Sequence, residues 1–269
     1  MRRPLVTTLA AVAAASILLA GCAASPGDAD PKATPAAGSS ATTSDVSGEI
    51  NVFAAASLTE SFKELGTKFE QANPGATITF NFGPSSGLAT QITEGAPADV
   101  FASASGTTMD TVVAAKAAQA PTPFAANLLE IAVPPDNPAK VTALADLAKP
   151  AVKVALCQPD VPCGKVAGTV LKNARLTVKP VTLEADVKAT LTKVELGEVD
   201  AGLVYVTDVQ AAGDKVKGIE IPADANTSTS YPIASLTAAK NPALAKAFVD
   251  FVLSADGAKV LTAAGFEKP

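Results

Sequence analysis

Histidine and tryptophan are both absent from this 269-residue chain, and only two tyrosines and three cysteines occur. The missing histidine excludes Ser-His-Asp and Cys-His activation of a nucleophile, acid–base work by imidazole and imidazole ligation of a metal. Three thiols are too few for a four-thiolate zinc site. Positive charge is also scarce: 21 Lys+Arg stand against 26 Asp+Glu, a formal net charge of −5, with no basic run. That balance argues against a nucleic-acid partner. Apolar residues are plentiful. With 48% hydrophobic and 17% charged residues the chain can bury a sizeable core, which excludes wholesale disorder. The length suits one large domain or two small ones.

The N-terminal residues read as something other than fold. Arg2 and Arg3 form a positive start, and Leu5 to Ala20 is apolar but too short and Ala-rich for a membrane span. Leu19-Ala20-Gly21-Cys22 resembles a bacterial lipobox, which implies a signal peptide of residues 1–21 and a lipid on Cys22. An ordinary signal peptide followed by a chance cysteine is the other reading. Residues 22–48 carry mostly small and polar side chains, with Val46 the one large apolar exception, and read as a flexible tether. Cleavage leaves 248 residues and a net charge nearer −7. Because one acyl chain anchors weakly, the full lipoprotein modification is implied, on the extracytoplasmic face of the cell membrane.

The other two thiols lie in Cys157-Gln-Pro-Asp-Val-Pro-Cys163. Outside the cytoplasm so close a pair favours a disulfide, with two buried thiols as the alternative. A catalytic thiol would lack an imidazole to activate it.

Along the rest of the chain short apolar strands alternate with amphipathic helices. Strands are expected at Glu49 to Ala54, Thr77 to Phe82, Asp99 to Ala102, Leu128 to Val133, Val152 to Cys157 and Ala201 to Val206. Helices are expected from Ser57 to Asn73, from Ser86 to Glu94, from Thr107 to Ala118, from Lys165 to Asn173, from Asp186 to Glu195 and from Pro242 to Ser254. The alternation implies an α/β fold with mainly parallel sheets, in which ligands bind beyond the carboxyl ends of strands.

Four strand-to-helix turns share a chemistry. Ser57-Leu58-Thr59-Glu60 fits a capping box. Gly83-Pro84-Ser85-Ser86-Gly87 precedes the second helix, and Gly87 would admit a ligand close to the backbone. Val161-Pro162-Cys163-Gly164-Lys165 and Glu184-Ala185-Asp186-Val187 precede two more. Each leaves unpaired N–H groups at the positive end of a helix, a setting that binds oxyanions; each alone is also explained by plain helix capping. The second turn matches G-x-S-x-G, which would make Ser85 a hydrolase nucleophile, but no histidine and no S-x-x-K stands ready, leaving only a lysine base distant in sequence. Tyr205, at the end of Gly202-Leu203-Val204-Tyr205, offers a phenol either to a ligand or to the protein's own packing.

Asn51-Val52-Phe53-Ala54-Ala55-Ala56-Ser57-Leu58-Thr59, Gly95-Ala96-Pro97-Ala98-Asp99-Val100-Phe101, Gly202 to Tyr205 with Asp208, Tyr231-Pro232-Ile233 and Gly265-Phe266 together resemble the molybdate-binding proteins of bacterial ABC importers. The resemblance implies a two-lobe periplasmic-binding-protein fold of type II, each lobe α/β, crossed twice by the chain. Lobe 1 would be residues 49–126 plus 231–269, and lobe 2 residues 127–230. It further implies that Ser57, Ser85 and Tyr205 give hydroxyl donors to the ligand, and that Cys163 and Val187 give backbone N–H groups. Two positions depart from the family: Cys163 stands where alanine is frequent, and Pro84 removes one N–H donor from the first-lobe wall.

The function so implied is capture rather than catalysis, without a cofactor: a monomeric lipoprotein that takes molybdate, and tungstate with it, to a membrane permease. Molybdate is a tetrahedral dianion without a proton, so a site built only of donors suits it and disfavours hydrogen phosphate. The rivals are a receptor for another tetrahedral oxyanion, sulfate above all, a lipid-anchored serine hydrolase using Ser85, and a lipoprotein that is purely structural.

Overall fold

A computed structural model describes residues 46–269. The expected signal peptide, the lipid on Cys22 and most of the expected tether lie outside the described residues. The end of that tether belongs to the fold. Val46 packs on the core, Ser47 O accepts from Asn241 Nδ2 at 2.8 Å, and Gly48 N donates to Gly75 O at 2.8 Å.

Two sheets organise the chain. The first contains β1 (Gly48–Ala55), β2 (Ala76–Gly83), β3 (Val100–Ala102), β4 (Thr122–Asn127) and the late strand β10 (Thr229–Ser235), in the order β2-β1-β3-β10-β4. The second contains β5 (Leu129–Val133), β6 (Val154–Cys157), β7 (Thr182–Glu184), β8 (Ala201–Tyr205) and β9 (Lys217–Glu220), in the order β7-β6-β8-β5-β9. The chain leaves the first sheet between Asn127 and Leu129 and returns between Glu220 and Thr229. Each sheet therefore forms the heart of one α/β lobe.

Neither sheet is mainly parallel, contrary to expectation. Each has two parallel and two antiparallel pairings. The parallel pairs come from strand–helix–strand units, as crossover connections require. The antiparallel pairs come from the strands that enter and leave each lobe, β4 and β10 in the first and β5 and β9 in the second. The expected strands all form. β4, β7, β9 and β10 were not anticipated, because their short mixed stretches carry no clear alternation.

The helices follow their apolar spacing. α1 (Thr59–Ala72) buries Phe62, Leu65 and Phe69 on one face and ends at Asn73, before Pro74-Gly75. α2 (Ser85–Thr93), α3 (Gly106–Ala114), α4 (Pro162–Asn173), α5 (Val187–Glu195) and α7 (Pro242–Val252) match expected helices; α4 starts three residues early. α6 (Val206–Ala212) and α8 (Ala255–Ala263) were not expected. In the first lobe Phe248 on α7 meets Phe62, Phe69 and Phe80 at centroid distances of 6.3, 5.4 and 6.2 Å. Edge-on packing of this kind adds to plain area burial. In the second lobe β8 is buried at every residue, as its unbroken apolar run predicted.

Cys157, the last residue of β6, is disulfide-bonded to Cys163 in the first turn of α4, with Cα atoms 5.8 Å apart. The bond ties a strand end to the helix start that follows it. Closing so short a loop contributes roughly 2 kcal/mol by restricting the unfolded chain.

Two outcomes follow from this packing. Phe248→Ala should lower stability by about 3–5 kcal/mol in urea unfolding, because the fully buried ring leaves a cavity among three others. Alkylation of unfolded, unreduced protein should label neither Cys157 nor Cys163; labelling of both would contradict the bridge.

Candidate functional site

Six strands, β1, β2 and β3 in the first lobe and β6, β7 and β8 in the second, lead into one small cavity. The lining comes from Ala55-Ala56-Ser57 after β1, Gly83-Pro84-Ser85 after β2, Ala104 after β3, Val161-Pro162-Cys163 after β6, Asp186-Val187 after β7, and Tyr205 ending β8. Ser57, Ser85, Cys163, Val187 and Tyr205 thus meet at one point, drawn from both lobes. Measured to the centres of water-sized occupants, the cavity holds about 20 Å³. One water needs about 10–15 Å³ on that measure, so the space takes a single compact group rather than a sugar or a peptide.

Residues at the starts of α2, α4 and α5 line the cavity. The first N–H groups of a helix have no acceptor within it. The dipoles of these three helices add positive potential there. Asp186 caps α5, its Oδ1 accepting from Ala189 N at 2.9 Å. It is the one carboxylate among the lining residues, and no lysine or arginine is among them.

Three hydroxyls complete the wall. Ser57 does not cap α1 as the capping-box pattern predicted. It sits in a 3-10 turn, Ala56–Leu58, with Leu58 at the helix N-cap, and its Oγ lies 2.9 Å from the hydroxyl of Tyr231. Glu60, the other half of the expected box, reaches instead to Lys188 of α5 at 2.7 Å. Ser85 is the first residue of α2, and its Oγ accepts from Ala104 N at 3.0 Å. Ser85, not its neighbour Ser86, lines the cavity. Tyr205 is 1% exposed, yet its hydroxyl has no hydrogen-bond partner among the described residues. Burial, with Tyr231 and Asp208 nearby, holds its phenol well above the ordinary tyrosine range, so it keeps its proton as a donor. A buried donor left unpaired beside a cavity is costly unless something in the cavity accepts from it.

Two glycines exchange roles relative to expectation. Gly87 does not line the cavity, and a Cβ there would make only a tight contact with Pro84 at 3.4 Å. Gly164 is the constrained one, since a Cβ on it would run into the Gln158 carbonyl. Pro84, whose missing N–H was expected to thin the first-lobe wall, occupies the N-cap of α2, and Ser85 N, Ser86 N and Gly87 N remain beyond it.

A charged group bridges the lobes beside the site. Lys188 Nζ lies 2.7 Å from Glu60 Oε2 in the first lobe and 3.2 Å from Asp208 Oδ1 in the second. Asp208 is wholly buried at the start of α6, its other oxygen accepting from Tyr205 N at 3.1 Å. Burial raises its pKa from 3.8 to about 6, against the opposing pull of Lys188. Burial also works against the charge on Lys188, but Asp208 and Glu60 outweigh it and its pKa is raised. Asn127 Nδ2 to Thr207 Oγ1 at 2.9 Å and Gln210 Nε2 to Ala263 O at 2.7 Å link the lobes further. Sequence reasoning gave Tyr231, Ala104 and Lys188 no role. The available signal was the rarity of tyrosine: both tyrosines of the chain stand at this site.

Two α/β lobes closed on a donor-lined cavity define a binding protein of the two-lobe kind. The chain belongs to the bacterial extracellular solute-binding protein family, whose model matches residues 50–267. It is 43% identical over 221 residues to the molybdate-binding protein ModA of Mycobacterium tuberculosis, across 82% of this chain and 85% of that one. Its fold is similar to the periplasmic molybdate-binding protein of Azotobacter vinelandii, with TM-score 0.74 at 20% identity, covering 82% of this chain and 99% of that one. It is also similar to the sulfate-binding protein SubI of Mycobacterium tuberculosis, with TM-score 0.72 at 17% identity, covering 82% of this chain and 86% of that one. At such identities the two structures speak for the fold alone.

The buried carboxylate sets a pH dependence. Asp208 holds a proton more tightly folded than unfolded, so its protonation stabilises the fold below about pH 4, and that contribution is lost as pH rises through about 6. Urea unfolding at pH 4.5 and 7 should show wild type losing stability relative to Asp208→Asn by about 2 kcal/mol over that interval; parallel pH profiles would contradict the raised pKa.

Proposed function

We propose that this chain is the extracytoplasmic receptor that captures molybdate for an ABC importer, anchored to the membrane by lipid on Cys22. The observation that carries the reading is the cavity itself: it is lined by hydroxyls and helix-start N–H groups, and its one carboxylate is committed to capping a helix. Neutral donors of this kind hold an anion without a counter-cation. A proton-bearing ligand such as hydrogen phosphate would leave its own O–H unpaired there.

Molybdate and sulfate share charge and tetrahedral shape, so only size separates them, and molybdenum–oxygen bonds are longer than sulfur–oxygen bonds. A cavity fitted to the larger ion holds sulfate loosely, and tungstate, nearly the size of molybdate, should bind as well. The 43% identity to a ModA protein supports the same choice.

In this reading the first lobe contributes Ser57 and Ser85, and the second contributes Tyr205 with the N–H groups of Cys163 and Val187. The ligand then favours the closed arrangement because only there do both sets reach it. The hydrolase alternative fares worse. Ser85 Oγ accepts a backbone N–H, and the lining offers no lysine to take its proton.

Calorimetry on protein cleared of carried-over anion should show tight binding of molybdate and tungstate, much weaker binding of sulfate, and still weaker binding of phosphate. Absence of molybdate and tungstate binding would overturn the proposal. Ser57→Ala with Tyr205→Phe removes two donors to a charged ligand and should weaken molybdate binding by at least a hundredfold. Full affinity in that double variant would overturn the site assignment.

A further inference from the structure

Tyr231 does not line the cavity, yet it controls what the cavity presents. It stands on β10 with no solvent exposure, its ring held edge-on by Phe124 at 6.3 Å, Phe266 at 5.3 Å and Tyr205 at 6.1 Å. Its hydroxyl lies 2.9 Å from Ser57 Oγ, and either oxygen can be the donor in that pair. The two arrangements are not equivalent. If Ser57 donates, the Tyr231 proton is left to the neighbouring Tyr205 and Asn127 side chains, neither of which makes a well-formed hydrogen bond with it, and Ser57 turns only lone pairs toward the cavity. If Tyr231 donates, both hydroxyls are satisfied once the cavity holds an acceptor. Leaving a buried donor unpaired is the costlier choice.

Ser85 is arranged in the same way. Its Oγ accepts from Ala104 N, which leaves its own proton for the cavity, and the Ala104 carbonyl is held in turn by Thr229 Oγ1 at 2.8 Å. Thr229 and Tyr231 lie on the same strand, β10, so one strand backs both serines.

We infer that Tyr231 is a positioning residue for ligand selection: by donating to Ser57 it fixes the serine hydroxyl as a donor toward the bound anion and so excludes oxyanions that carry a proton. The inference rests on the reading of the cavity as an oxyanion site and adds to it a residue that never touches the ligand. Without the tyrosine hydroxyl, Ser57 is free to rotate and accept, and the wall is no longer purely donating.

Sulfate and hydrogen phosphate are the decisive probes, because they are close in size and differ in the proton. Their affinities, with that of molybdate, would be measured by competition calorimetry at about pH 8, where phosphate is mainly the hydrogen phosphate dianion, on wild type, Tyr231→Phe, Ser57→Ala and the double variant. In Tyr231→Phe, molybdate binding should weaken roughly tenfold, the equivalent of one hydrogen bond, and the preference for sulfate over phosphate should shrink. In the Ser57→Ala background, Tyr231→Phe should change that preference no further. An unaltered sulfate-to-phosphate ratio in Tyr231→Phe, with or without weaker molybdate binding, would overturn the inference while leaving the receptor reading intact. A further shift in the ratio caused by Tyr231→Phe when Ser57 is already alanine would overturn it too, since the effect would not pass through the serine. Wild type that binds none of the three anions would instead overturn the receptor reading. The apo melting temperature of Tyr231→Phe should stay within a few degrees of wild type, because the phenyl ring keeps its three edge-on neighbours.

Discussion

The structure turns on a cavity that is lined by uncompensated hydrogen-bond donors and by no cation. Helix starts leave N–H groups unpaired wherever they occur, and most proteins let water satisfy them. Here the starts of α2, α4 and α5 converge with three hydroxyls on a space too small for more than one compact group. The Tyr205 hydroxyl, buried and unpaired, sharpens the condition, because its cost is recovered only when an acceptor enters. An acidic chain with net charge −5 can therefore offer an anion a favourable place, since local dipoles act at contact distance while the net charge is spread and screened.

Holding those donors in register is the work of the second layer. The disulfide fastens the start of α4 to the end of β6, and Gly164 lets that helix start lie against the Gln158 carbonyl. Asp208 receives the Tyr205 N–H and so fixes the turn that carries the phenol. The same carboxylate meets Lys188, which reaches across to Glu60 on the other lobe. Lys188 directly follows Val187, so the ion pair that joins the lobes is anchored one residue from a proposed ligand donor.

Much of this was legible in the sequence. The apolar run of β8 and the four-three-four spacing of Leu58, Phe62, Leu65 and Phe69 identify a buried strand and an amphipathic helix without help from elsewhere. The turns at Ser57, Ser85, Cys163 and Val187 were recognisable because glycine, proline, serine and aspartate interrupt apolar runs at the points where strands become helices. The antiparallel strands were not legible. Thr182 to Glu184 and Lys217 to Glu220 are short, and their pairing depends on where the chain crosses between lobes. The capping box at Ser57 misled because the local pattern is satisfied by spacing alone, whereas both of its side chains found partners from distant segments.

What the sequence by itself determined is the set of donors and the absence of competing chemistry: no imidazole, few thiols, and small polar turns after apolar strands. These follow from residue type and local spacing, which short stretches of chain carry in full. Only the tertiary structure decided which way the hydroxyls point. Ser57 takes its orientation from Tyr231, 174 residues away, and Ser85 from Ala104, 19 residues away. A hydroxyl is donor and acceptor at once, so its role is undetermined until a neighbour claims one of the two, and that neighbour is supplied by the fold.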